Sequence, residues 1–186
     1  MVYILLGSGF EEVEALTPCD LLRRAGLEVA LVGVDGTEIK GSHGITVRAD
    51  LPLAAVRPET VEMLILPGGL RGVQSLLDSE AALELVRRTW EAGAFVCAIC
   101  AAPTILAKLG LLGDAPAVCY PGKEPEMGNA QLRDANVVRC GKLITARAAG
   151  AAVDFALALI DALKGPAEAE RIAKQIVYLG GYSIAE

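Results

Sequence analysis

Histidine is nearly absent from this chain of 186 residues: His43 stands alone. The C-x-x-C pair Cys97 and Cys100 therefore lacks the two further ligands that a zinc site wants, and no metal is expected. Apolar runs long enough to span a bilayer are missing too, which argues against a membrane protein. Basic residues form no stripe: the net charge is -6, and Arg23-Arg24 and Arg87-Arg88 are isolated pairs, so nucleic acid is not expected as a direct partner. The opening MVYILLGSGFEEVEA has neither a charged n-region nor a small-residue cleavage site and reads as a first strand, with no signal peptide. Repeats, linkers and low-complexity segments are lacking, so residues 1–186 read as one domain. Five cysteines at irregular spacing fit reduced thiols in a cytoplasmic protein. A hydrophobic content of 53% then calls for a sheet buried on both faces, or for a subunit interface.

The stretch that carries the chemistry is Ala94 to Leu109, AFVCAICAAPTILAKL. A short apolar run of β character breaks at Ile99-Cys100 into small residues and a proline, then resumes with helical spacing. This predicts a strand, a sharp turn and a helix with a thiol at the bend, the plan of a nucleophile elbow. A thiol at a helix N-terminus faces unpaired N–H groups and the positive end of the macrodipole, so Cys100 is expected to have a depressed pKa and to be partly thiolate at neutral pH. The competing reading is a small buried hydrophobe. Cys97 falls inside the strand, which separates it from a redox pair whose two sulfurs share a helix start.

Taken from its start, the chain offers a strand at Val2 to Gly7, a turn at Gly7-Ser8-Gly9, a helix from about Phe10 to Ala25 and a strand at Val29 to Val34. The turn lacks the third glycine of G-x-G-x-x-G, and Glu11 and Glu12 would repel a pyrophosphate, so a dinucleotide is not expected. Glu11, Glu12 and Glu14 all complement the helix dipole. Glu14 also shares a stripe with Thr17, Leu21 and Ala25, which turns its carboxyl toward the protein and raises its pKa, so that it can donate a hydrogen bond to a thiolate. Turn signals surround His43, whose ordinary reading is a solvated turn histidine and whose alternative is a contact across a dimer interface. Val61 to Leu66 reads as a buried strand ending in Pro67-Gly68-Gly69, where backbone N–H groups can approach a ligand as an oxyanion hole requires. Helical periodicity runs from Val73 to Glu91 with a break at Asp78-Ser79. Strand character follows at Ala117 to Tyr120, Asn136 to Arg139 and Leu143 to Thr145, with helices at Gly150 to Leu163 and Ala167 to Leu179. The alternation predicts an α/β fold of three layers with a mainly parallel sheet and a site at the carboxyl ends of the strands.

The residues G-F-E-E-V-E-A at 9–15, D-L-L-R-R-A-G at 20–26, L-P-G-G at 66–69, A-I-C-A-A-P-T at 98–104 and V-D-F-A-L-A-L-I-D-A-L at 153–163 resemble the DJ-1/PfpI superfamily, and within it the DJ-1 and YajL branch. The resemblance covers essentially the whole chain. It implies a flavodoxin-like sandwich, a homodimer, and no cofactor. It also implies a reactive, oxidisable cysteine at Cys100, a protonated glutamate bonded to its sulfur at Glu14, and a backbone oxyanion site at Gly69 and Ala101, beside Gly68. Departures from the family pattern are equally plain. Protease-like relatives have a histidine where this chain has Ala101, so the Cys-His dyad is missing. The DJ-1 type has a histidine where Tyr120 precedes Pro121, and the residue usual at His43 is an arginine. The segment Ala146 to Gly150 also lacks the usual Gly-Pro-Gly.

Two functions are open to these residues. One is a cofactor-free enzyme of the glyoxalase or protein deglycase kind, in which Cys100 attacks a small reactive carbonyl or a glycated protein, methylglyoxal leaves as lactate, and the lost imidazole at 120 makes it slow. The other is a non-catalytic sensor of oxidative stress, or a chaperone, that uses oxidation of Cys100 to a sulfinic acid.

Overall fold

The computed structural model describes residues 1–181, 184 and 185. Its strands in chain order are β1 (Val2–Leu6), β2 (Val29–Gly33), β3 (Glu38–Lys40), β4 (Thr46–Arg48), β5 (Leu51–Pro52), β6 (Met63–Leu66), β7 (Phe95–Ile99), β8 (Pro116–Ala117), β9 (Gln131–Leu132), β10 (Val137–Cys140), β11 (Leu143–Ala146) and β12 (Ile184–Ala185). The helices are α1 (Glu12–Arg24), α2 (Leu70–Asp78), α3 (Glu80–Glu91), α4 (Pro103–Lys108), α5 (Ala152–Lys164) and α6 (Pro166–Gln175). The expectation of one domain over 1–186 takes in Tyr182, Ser183 and Glu186, which lie outside the described residues.

Eight strands form one sheet in the order β12-β10-β11-β7-β6-β1-β2-β5. Only β10 and β11 pair antiparallel, through the two-residue turn Gly141-Lys142; the other neighbours run parallel. Parallel strands need crossovers, and the crossovers cover both faces, so the strands read as continuous apolar runs and alternate between two cores. Val2, Ile4 and Leu6 of β1 face one core with Leu22 of α1 and Phe155 of α5. Tyr3 and Leu5 face the other, with Val73 of α2, Leu85 of α3 and Ile105 of α4. The α/β sandwich and mainly parallel sheet expected from the sequence are thus present.

The chain leaves β1 toward β2 on one side and returns to β6 on the other, so the sheet has its topological switch point between β1 and β6. Crevices at such a point open at the carboxyl ends of the strands. Gly7–Gly9, Pro67–Gly69 and Cys100 all lie there. The break in helical periodicity falls between α2 and α3, where the Ser79 hydroxyl accepts the Ala82 N–H at 3.3 Å as an N-cap.

Three boundaries differ from expectation. Helix α1 starts at Glu12, because Phe10 is drawn into a turn onto the Gly7 carbonyl (3.0 Å) and buried. The strand at Ala117 to Tyr120 is limited to β8; Val118 instead donates to the Thr145 hydroxyl (3.0 Å) and Tyr120 to the Cys100 carbonyl (2.7 Å). Helix α6 stops at Gln175, followed by Val177 in the left-handed region (φ 56°).

Candidate active site

Strand β7 delivers Cys100 into a bend. Its φ of 66° places a side-chain-bearing residue in the left-handed region, the stored strain of an elbow. Two backbone bonds hold it there: its N–H donates to Ala146 at 2.9 Å, and its carbonyl accepts from Tyr120. The thiol is half-buried at the floor of a cleft of about 920 Å³, which Gly69, Ala101, Tyr120 and His43 also line.

Glu14 reaches the same point from α1 and is completely buried. Its Oε2 accepts the Gly68 N–H at 2.8 Å. Its Oε1 is buried without a hydrogen-bond partner among the described residues, and besides Gly68 the polar groups beside the carboxyl are the Cys100 thiol and the Ala149 N–H. The two groups meet because Gly68 has no side chain. A Cβ there would lie 2.6 Å from Glu14 Oε2, 2.7 Å from Cys100 Cβ and 3.0 Å from Cys100 Sγ.

Burial raises Glu14 to about 7, although hydrogen bonds from Cys100 and Gly68 pull it down. Burial, reinforced by the Glu14 charge, pushes the Cys100 thiol up to about 12 against the N–H groups of Gly69 and Ala101, which favour the anion. This corrects the expectation of a depressed thiol. Residues 100–102 are turn, α4 begins only at Pro103 and spans six residues, and the carboxyl that faces the sulfur outweighs its short dipole. Two acidic groups in one buried site do not both ionise readily, so the pair sheds one proton near neutrality and keeps the second.

Glu12, two residues away, was treated on sequence only as a dipole partner, and the structure gives it more to do. It is 4% exposed. Its Oε1 accepts the N–H groups of His43 (2.8 Å) and Ile45 (3.4 Å), and its Oε2 meets the Ser42 hydroxyl (3.1 Å) and His43 Nδ1 (3.1 Å). Burial alone would raise it, yet bonds from its own backbone, His43 and Ser42 hold it at about 2. The signal was available: Leu16 and Cys19 give Glu12 the kind of stripe that singled out Glu14.

His43 lies on an exposed turn, as expected, and within its own chain pairs with Glu12 and with Glu11 (Nδ1 to Oε1, 3.4 Å). The Glu12 bond and the two carboxylate charges raise its pKa. Glu11, Glu12 and His43 bring donor atoms within 4.8 Å of one another, a set of the kind that holds a divalent cation, but the Glu12 oxygens are already engaged by the His43 and Ile45 N–H groups and the Ser42 hydroxyl. Cys97 is fully buried in the α1/α5 core, where burial raises its pKa far above the ordinary range, and it faces away from the cleft. Lys40, Arg71 and Lys123 also line the cleft, and sequence reasoning did not single them out.

Comparison with known proteins points one way. A sequence model described as the DJ-1/PfpI family matches residues 1–162. The glutathione-independent glyoxalase DJR-1.2 of Caenorhabditis elegans is 30% identical over 167 residues, 89% of each chain. The deglycase PH1704 of Pyrococcus horikoshii is 34% identical over 148 residues, 78% of this chain and 89% of that one. In structure, the oxidized DJ-1 of Toxoplasma gondii superposes with a TM-score of 0.92 at 33% identity, covering 96% of this chain and 98% of that one.

Proposed function

The chain belongs to the DJ-1/PfpI family, and on that premise we propose that it is a cofactor-independent enzyme that adds the Cys100 sulfur to small reactive carbonyls and isomerises the adduct. The observation that carries this reading is the buried Glu14 carboxyl beside the Cys100 thiol, with one oxygen left without a hydrogen-bond partner among the described residues. A pair that has lost one proton can place the remaining one on either partner. With the proton on Glu14 the sulfur is a nucleophile; with the proton on sulfur the carboxylate is a base.

For methylglyoxal the steps follow in order. The sulfur bonds to the aldehyde carbon, the carbonyl electrons move to oxygen beside the Gly69 and Ala101 N–H groups, and Glu14 protonates that oxygen to give a hemithioacetal. The carboxylate so formed takes the C1 proton and returns it at C2, while the hydroxyl proton passes from O1 to O2. The product is a lactoyl thioester on Cys100. Water cleaves it to lactate and restores the thiol. Tyr120 walls the cleft but brings no imidazole, so turnover is slow. The names of the C. elegans and P. horikoshii relatives support this class of substrate.

The experiment is methylglyoxal consumption with chiral detection of lactate in amine-free buffer, for wild type and Cys100→Ala. Turnover that vanishes in the variant is the expected result; turnover that persists, or none in either protein, contradicts it.

A second reading has its own observation. Cys100 is partly exposed and lines the cleft, Cys140 is partly exposed away from it, and Cys19, Cys97 and Cys119 are buried. Two equivalents of peroxide then convert Cys100 to a sulfinate, with two waters formed, and Glu14 donates to the new oxygens. Intact mass after limited peroxide tests this: a gain of two oxygens confined to Cys100 supports a sensor or chaperone role, and indiscriminate oxidation counts against it. A homodimer in the cytoplasm belongs to both readings. Sedimentation at the dimer mass is the expected outcome, and a monomer contradicts that part of the proposal.

A further inference from the structure

The chain carries a net charge of -6, yet the rim of the Cys100 cleft is cationic. Lys40, Arg71 and Lys123 line it against the single carboxylate of Glu11, and His43 on the same rim is paired with Glu11 and Glu12. Glu11 is already engaged by the Ser42 hydroxyl at 3.0 Å and by His43. Lys123 is held by Glu126 at 2.7 Å. Lys40 and Arg71 take part in no ion pair among the described residues.

Their placement is built into the end of β1. Gly9 has φ +86°, and a Cβ on it would lie 2.5 Å from Arg71 Cβ, so only a glycine lets the stem of Arg71 cross there. The same Gly9 donates its N–H to the Lys40 carbonyl at 2.8 Å. One residue thus packs against the stem of Arg71 and ties down the backbone of Lys40, the two lining cations that have no ion pair among the described residues. At about 920 Å³, the cleft is also far roomier than a three-carbon dicarbonyl requires and falls in the range that takes much larger ligands. Positive walls in an otherwise negative surface focus the field on incoming anions.

We propose that the cleft selects carboxylate-bearing carbonyl compounds, with the aldehyde at Cys100 and the carboxylate between Arg71 and Lys40. The chemistry rests on the carbonyl reading above, while the selectivity rests on the cations alone. A suitable substrate is 4,5-dioxopentanoate, an α-oxoaldehyde with a carboxylate at its far end. Sulfur adds to the aldehyde carbon, the carbonyl oxygen takes the Glu14 proton, the C–H proton moves to the neighbouring carbon while the hydroxyl proton passes to that carbon's oxygen, and one water cleaves the thioester to 2-hydroxyglutarate. No oxidant or reductant enters.

The test separates charge from catalysis. Alkylation of Cys100 by iodoacetate and by iodoacetamide, followed by peptide mass spectrometry, compares an anion with a neutral reagent of equal size; in both, sulfur displaces iodide. With free cysteine as reference, the iodoacetate to iodoacetamide rate ratio at Cys100 is expected to be raised at least about fivefold at low ionic strength. It falls toward the reference in high salt and in Arg71→Gln and Lys40→Gln. A ratio at or below the reference overturns the proposal. Turnover of 4,5-dioxopentanoate is then compared with that of its methyl ester, with an expected preference of about tenfold in kcat/KM for the acid. Equal turnover of acid and ester overturns the substrate assignment and leaves the carbonyl chemistry standing. Anion-selective alkylation with neither compound consumed keeps the charge selectivity and removes the carbonyl reading.

Discussion

Glu12 and Glu14 sit two residues apart at the start of one helix, both buried, and their pKa values are shifted in opposite directions. Glu12 accepts two backbone N–H groups from the arm at 41–45, together with the Ser42 hydroxyl and the His43 ring, and its pKa falls to about 2. Glu14 accepts the Gly68 N–H at 2.8 Å, has a thiol and the Ala149 N–H beside it, and burial raises its pKa to about 7. Depth and donors both separate them: Glu14 lies deeper, and burial is the main cause of its raised pKa, whereas the donors around Glu12 outweigh its burial. The well-solvated carboxylate pins a loop, and the under-solvated one keeps a proton that chemistry can use.

The comparison can be broken most severely at the thiol side. Replacing Glu14 by Gln keeps the shape but removes the mobile proton, and kcat is expected to fall on the order of 10²-fold; unchanged turnover on methylglyoxal would remove Glu14 from proton transfer. Gly68→Ala forces a methyl between carboxyl and sulfur. Its expected effect is a large loss of Cys100 alkylation rate, with the Glu12 clamp intact; an unaltered rate would show that the two groups need not touch. Glu12→Gln, in contrast, weakens the arm and lowers stability by about 1–3 kcal/mol, seen as a shifted denaturation midpoint. A midpoint within error of wild type contradicts the clamp.

Stability as a function of pH sharpens the same contrast, because the two shifts have opposite signs. Glu12, lowered from 4.5 to about 2, contributes stability that is present above pH 4.5 and lost as pH falls toward 2. Glu14, raised from 4.5 to about 7, contributes in the other sense: its protonated form favours the fold below pH 4.5, and that contribution is lost as pH rises through 7. In thermal melts Glu12→Gln should flatten the acid limb, and Glu14→Gln the limb between pH 4.5 and 7. Identical profiles for the two variants would refute the distinction. His43→Ala should produce the smallest change, since the ring is largely exposed and the backbone bonds to Glu12 remain.

Much of this was legible in the residues, for identifiable reasons. Strand ends at Gly7, Pro67 and Ile99 announce themselves by apolar runs that stop at glycine, proline or small residues, and the switch point follows from the alternation of elements. Glu14 was separable by its stripe. The thiol departs from expectation because burial and the facing Glu14 outweigh the Gly69 and Ala101 N–H groups, and residues 100–102 form a turn before the helix begins at Pro103. Glu12 was undervalued because its partners, Ser42, His43 and Ile45, lie some thirty residues on, where no local periodicity connects them. The cleft's cations come from β3, α2 and the segment around Lys123, far apart in sequence, and become a group only in the folded chain.

The proton on Glu14 is the claim on which the rest depends, and it can be observed directly. In a protein labelled with ¹³C at the glutamate side-chain carboxyls, the resonance that disappears in Glu14→Gln belongs to this residue. It is expected to titrate with a midpoint near pH 7. A midpoint near the ordinary 4.5 would mean a carboxylate already ionised at neutral pH beside Cys100, and would contradict the account.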